Sequence, residues 1–180
     1  RYIDAVAPQM AAMSDDIFDH PELGLNEYHA FALLTDWLEQ EGFAVERGVA
    51  GVETAFRAIY HHGNGGPNIG LLCEYDALPE IGHACGHQLQ APSILAAAAA
   101  LKNSEADGNY TVTVYGTPAE ESVSGKIMML KNGCTFEELD VALMMHGSGA
   151  TQVDVKSLAL SRFKVVFHGV SAHAAVKPEK

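Results

Sequence analysis

Cysteine is scarce in this 180-residue sequence, which holds three, an odd count, at Cys73, Cys85 and Cys134. That argues against a disulfide scaffold and for a reducing, cytoplasmic setting. Positive charge is also in short supply: 11 Lys plus Arg face 23 Asp plus Glu, for a net charge of −12. Such a balance speaks against nucleic acid or an anionic membrane surface as partner. No apolar run approaches the roughly 20 residues that span a bilayer, the five alanines 96–100 being too short and too weakly apolar. No secretory leader is visible at Arg1. No internal repeat or low-complexity linker stands out. What remains is 48% apolar and 19% charged, the composition of an ordinary globular protein with one core and room for the start of another domain.

The chain then reads as alternating elements. Ile3, Val6, Met10, Met13 and Ile17 recur at helical spacing, and the helix should stop near His20-Pro21, because the residue before proline avoids helical angles. A second helix, capped by Asn26, carries the stripe Phe31, Leu34, Trp37, Leu38 and closes at Gly42. Strands are expected at Phe43–Arg47, Thr54–Tyr60, Asn68–Cys73, Tyr110–Thr117 and Val141–Met145. The glycine-rich turn 61–67 lacks the register of a phosphate cradle, and His61 and His62 read as solvated turn residues. Pro92 should begin a helix over Ser93–Lys102, and Ile127–Leu130 belongs to another. Strands alternating with helices predict an α/β layered domain.

The polar residues fall on this frame with a pattern. Cys85 and His87 lie in the loop Gly82-His83-Ala84-Cys85-Gly86-His87, two residues apart, where a thiolate and an imidazole can turn toward one borderline-soft ion such as zinc. Read alone, the pair is equally a buried thiol beside a satisfied histidine. A helical His83/His87 pair at i, i+4 is a second metal-binding arrangement, disfavoured by the glycines. Glu120-Glu121 follows the strand ending at Thr117, and His146 follows the strand at Val141–Met145. Adjacent glutamates diverge, so one carboxylate can bind metal while the other faces water or substrate. By themselves they are a solvated acidic turn. All three segments leave the carboxyl ends of predicted strands, where open α/β sheets place their ligand crevice.

Four stretches carry a resemblance: 72–87 from Leu72-Cys73-Glu74-Tyr75-Asp76-Ala77-Leu78-Pro79 to His87, then Gly116-Thr117-Pro118-Ala119-Glu120-Glu121, Met145-His146, and Gly169-Val170-Ser171-Ala172-His173-Ala174-Ala175. Together with His20-Pro21-Glu22-Leu23-Gly24 they resemble the dinuclear metallo-amidohydrolases, a family of hippurate hydrolases, auxin-conjugate amidohydrolases, aminoacylases and carboxypeptidases. The wording is nearest the aminobenzoyl-glutamate hydrolase and dipeptidase branch. The resemblance implies a layered mixed-sheet α/β catalytic domain of the zinc-exopeptidase type over residues 1–157. An α+β lid and dimerisation domain would start at 158–180. It implies Cys85, His87, Glu121 and His146 as ligands of two divalent ions, zinc or manganese, with cobalt or nickel as substitutes. It also implies Glu120 as general base, and His173 on the lid against the substrate carboxylate or oxyanion. The expected activity is hydrolysis of small N-acyl amino acids or dipeptides by a protein that is a homodimer at full length.

Two departures set against this. The branch carries Asn or Asp after the ligand histidine where this chain has Gln88, followed by Leu89-Gln90, so support of the ligands is expected to loosen. Relatives of this kind also have a complete lid and a further histidine ligand near their C-terminus, which makes this chain read as a fragment. The rival readings are a zinc deaminase, which lacks its Pro-Cys-x-x-Cys, a Cys85 nucleophile with His87 as base, and a degenerate metal-binding module without activity.

Overall fold

The computed structural model describes residues 2–134, 136–153, 155–156, 158–161, 163–173 and 175–177. The chain divides into two compact units, 1–148 and 149–180. In the first, helix α1 (Tyr2–Asp19) buries Met10, Met13 and Ile17 while Ile3 stays exposed. Helix α2 (Tyr28–Gln40) buries Leu34, Trp37 and Leu38; each such side chain contributes about 1.5–3 kcal/mol on leaving water. Gly42, at φ 84°, ends α2 as expected: its N–H bonds Glu39 O at 2.9 Å and that of Phe43 bonds Leu38 O at 3.0 Å, the paired bonds of a left-handed helix stop.

The N-terminal cap of α2 corrects the sequence reading. Asn26 does not cap it. Instead the Glu22 carboxylate accepts from His29 N at 2.9 and 3.0 Å and from Ala30 N at 3.0 Å. This carboxylate lies well before Tyr28, the first helical residue, outside the window that local capping patterns search.

The five-stranded sheet has the order β1-β2-β4-β3-β5, with β1 Ala44–Arg47, β2 Phe56–His62, β3 Asn68–Cys73, β4 Tyr110–Gly116 and β5 Val141–Leu143. It is mixed: β1, β2 and β4 pair antiparallel, whereas β3 runs parallel to both β4 and β5. His61 and His62 are strand residues rather than turn residues, pairing with Thr111 and Tyr110. His61 Nδ1 meets Thr111 Oγ1 at 2.9 Å and His62 stacks on the Tyr110 ring. Cross-strand partners hold them there, and these the local sequence does not reveal.

Helix α3 (His87–Lys102) follows β3, and α4 (Gly125–Lys131) follows β4. Helices α1, α2 and α3 share the core built on Leu71, Val112 and Val114. Met129 of α4 packs with Val49, Val52, Ala55 and Tyr115 in a second cluster. Helices α3 and α4 therefore belong to separate cores. Moreover, β4 and β5 flank β3 on opposite sides, so the connections depart in opposite directions, the arrangement that places ligand sites at the carboxyl ends of strands.

In the second unit the described residues contain no strand, and their structure is a turn in which Val176 N and Lys177 N bond His173 O at 3.0 and 2.9 Å. Arg162 and Ala174, which fall in the expected lid segment and its histidine motif, lie outside the described residues.

Candidate metal centre

Helix α3 starts at His87, ahead of the expected start at Ser93. Pro92 sits inside it, where the missing N–H leaves one carbonyl without its helical donor. A proline near a helix start resembles the first-turn signal closely enough to displace the boundary. Gly86, at φ 88°, turns the chain sharply into the helix, so His87 sits in the first turn above the end of β3. His83 lies outside the helix, which overturns the i, i+4 arrangement. It is buried, both ring nitrogens lack a hydrogen-bond partner, and among the described residues it joins none of the clusters able to hold an ion. Burial, then the nearby His87, pushes its pKa down.

The structure brings the other candidates together. Donor atoms of Cys85, His87 and His146 lie within 4.8 Å of one another, as do those of His87, Glu120 and Glu121. His87 belongs to both groups, so four side chains from three loops gather around one buried imidazole. Cys85 Sγ stands 3.5 Å from His146 Nε2, the spacing of two donors sharing an ion with bonds of about 2.0–2.3 Å. His146 Nδ1 faces the Gly147 carbonyl at 2.9 Å, which fixes the proton on Nδ1 and turns the Nε2 lone pair toward Cys85.

Asp76, in the loop that follows β3, organises the rest. The Nδ1–H of His87 faces Asp76 O at 3.0 Å and Asp76 Oδ1 at 3.1 Å, and Asp76 Oδ2 accepts from Glu121 N at 2.9 Å. One carboxylate thus joins the α3 histidine to the glutamate loop. Burial works against the ionised Asp76, but these bonds and the His87 charge outweigh it and lower its pKa. Burial likewise opposes protonation of His87, and the Asp76 bond with the Glu74 and Asp76 charges overcomes it, raising the pKa. His87 Nε2 is left buried without a hydrogen-bond partner, 3.4 Å from Glu74 Oε2. An unsatisfied buried nitrogen costs about 1–3 kcal/mol, and a divalent ion is the partner this donor set suits.

Glu74 is tied in turn to the Lys126 ammonium and accepts from Gln90 Nε2 at 3.2 Å; Gln90 Nε2 also bonds Met145 O at 2.6 Å, beside His146. Sequence reasoning assigns no role to Asp76, Glu74, Gln90 or Lys126. The two acids carry a usable signal, since they directly follow a buried strand. Gln90 and Lys126 carry none that is local. Gln88 does not brace the histidine: it is buried with Oε1 unpartnered, and Asp76 supplies the support.

Burial, followed by the Glu121 hydrogen bond and the charges of Glu121, Glu120 and Glu74, pushes the Cys85 thiol up to about 12. A cysteine nucleophile needs the opposite shift, so this environment suits a thiolate formed by exchanging its proton for a metal ion. Glu120 is also raised, by burial and then by Glu74 and Glu121. His173, in the second unit, is exposed, and its Nδ1 accepts from Ala175 N at 3.3 Å.

Comparison with known proteins bears on this geometry. The profile of peptidase family M20/M25/M40 matches residues 70–177, more than half of the chain. The chain belongs to that family. It is 40% identical over 188 residues to the Xaa-Arg dipeptidase of Mus musculus, covering 98% of this chain and 43% of that protein. It is 36% identical over 196 residues to one of the subunits of the p-aminobenzoyl-glutamate hydrolase of Escherichia coli K12, covering 98% of this chain and 40% of that protein. This M20 chain thus spans less than half the length of these relatives. Among solved structures it resembles a dinuclear metal-binding M20 peptidase from Bacillus subtilis, with a TM-score of 0.70 and 27% identity over 81% of this chain and 44% of that one.

Proposed function

We propose that the chain carries the metal-binding part of a hydrolase that cleaves the amide bond of small N-acyl amino acids or dipeptides. The observation that carries this reading is the clustering of Cys85, His146, Glu120 and Glu121 with His87, whose Nε2 is buried without a hydrogen-bond partner. The names of the similar dipeptidase and aminobenzoyl-glutamate hydrolase support the substrate class.

Cys85, His87, Glu121 and His146 would hold two divalent ions, zinc or manganese, with cobalt or nickel as substitutes. When bound, such ions supply Lewis acidity for the scissile carbonyl and acidify water. Asp76 fixes the His87 tautomer and the Glu121 backbone. Glu120, left out of the ligand set, takes the proton of the attacking water and passes it to the leaving amine. Residues 158–180 begin a lid and dimerisation domain, on which His173 meets the substrate carboxylate or the oxyanion.

Glu120→Gln in the full-length protein is expected to keep its metal content and lose about two orders of magnitude or more in turnover. Near-normal turnover would remove Glu120 as base. A metal-loaded wild type inactive on a panel of N-acyl amino acids and dipeptides would identify a degenerate binding module instead.

A further inference from the structure

A second cluster of metal-binding side chains lies where α1 ends and α2 begins, sharing no residue with the centre built on His87. Asp16 and His20 are one helical turn apart, and His29 stands in the first turn of α2. Their donor atoms lie within 4.8 Å of one another. Asp16 Oδ1 is 2.9 Å from His20 Nδ1 and 3.2 Å from His29 Nε2, and the two imidazole rings lie 4.7 Å apart. Two donors sharing a tetrahedral zinc, at bonds of about 2.0–2.2 Å, are separated by about 3.3–3.5 Å. The two histidine donors need to move away from the Asp16 oxygen by only a few tenths of an ångström to admit the ion.

The backbone that sets this spacing is held independently of the three donors. Glu22 accepts from His29 N and Ala30 N, Ala77 N bonds Glu22 O at 2.8 Å, and Asn26 N bonds Leu23 O at 2.9 Å. The segment between His20 and His29 is therefore pinned to the loop after β3 and to the start of α2. The side chains themselves are 59% exposed at His20, 40% at His29 and 38% at Asp16, which leaves an approach for an ion and room for water in a fourth position.

We propose that Asp16, His20 and His29 form an additional site for a divalent transition ion of the zinc class, clipping the end of α1 to the start of α2. Two imidazole nitrogens and one carboxylate oxygen suit zinc, nickel or copper(II) over magnesium or calcium, which favour oxygen donors. Binding replaces the ring protons that now face Asp16, the one on His20 Nδ1 being shared between the Asp16 carboxylate at 2.9 Å and the Asp16 backbone carbonyl at 2.8 Å, so the ion competes with a hydrogen-bonded ion pair.

The test is a zinc titration of the full-length protein already loaded at its catalytic centre, with bound ions counted per chain after gel filtration. His29→Gln and His20→Asn are compared with wild type by the same count and by the visible spectrum of the cobalt-substituted forms. The expected result is one ion fewer in each variant, or at least a tenfold weaker affinity for that ion, with circular dichroism and hydrolysis unchanged. Equal ion counts and affinities in wild type and both variants would overturn the proposal and leave an ion pair only. Because the readout is the difference of one ion between wild type and variant, it stands apart from the occupancy of the centre around His87.

Discussion

Asp76 has two acceptor oxygens and uses each for a different loop, one on His87 and one on the Glu121 N–H. An asparagine keeps one acceptor and can serve only one of them, so Asp76→Asn is expected to weaken metal binding about 10–100-fold, read by competition against a chelator. Glu27 offers a second residue-scale test, one of pH dependence, beneath the loop that leads to Glu120. It is fully buried and accepts from Ala119 N at 2.7 Å and Thr54 Oγ1 at 2.9 Å. Burial raises its pKa from the ordinary 4.5, despite those bonds. The folded state then holds the proton more tightly than the unfolded chain. Its contribution to stability is fully present below about pH 4.5 and is lost as pH rises through the folded pKa. Glu27→Gln keeps an acceptor and removes the titration. Denaturant unfolding across that range should show stability moving in favour of the glutamine variant as pH rises, and parallel curves would refute this.

At the scale of elements, the loop that carries Glu120 and Glu121 is wedged between two glycines. A Cβ on Gly125 would overlap the Pro118 carbonyl oxygen, and one on Gly24 would overlap Ser122 Oγ and crowd Ala119. Gly125→Ala is expected to cost about 1–3 kcal/mol in unfolding free energy and to weaken metal binding, because relief of the clash moves the loop that presents both glutamates. A stability loss with unchanged metal affinity would show that the loop does not transmit the strain. Strand identities and the ends of α1 and α2 were legible in the sequence because periodicity, proline and glycine act locally. The start of α3, the Glu22 cap and the strand setting of His61 and His62 were not, since each depends on a partner distant in the chain or on a proline that the helix tolerates.

For the whole molecule, the exposed apolar surface is the salient property. In the second unit Val153, Leu158, Phe163 and Phe167 are each about 90% exposed. In the first, Val141, Leu143, Met144 and Met145 are exposed along and just after β5, whose only strand partner among the described residues is β3. Contiguous apolar surface and an unpaired strand edge both promote association. The 180-residue chain on its own is expected to self-associate, as read by light scattering during size exclusion. Phe163→Ser with Phe167→Ser should shift it toward monomer if the second unit is responsible, and an unaltered association state would assign the behaviour to the β5 edge. No helix among the described residues is long and apolar enough to cross a membrane.

The sequence by itself determined the α/β alternation, the mixed set of sulfur, nitrogen and oxygen donors, and their positions after three strands, because residue type and spacing are properties of the chain. Only the tertiary structure decided that β3 lies between β4 and β5, which brings the donors of three distant loops together. It also decided that Asp76, rather than Gln88, orients His87, and that Glu74 is bonded by the buried Gln90 and the half-buried Lys126 beside it. A partner far away in the chain leaves no trace in local pattern, and the hydrogen bonds that aim a ligand exist only once the sheet has brought those segments within about 3 Å.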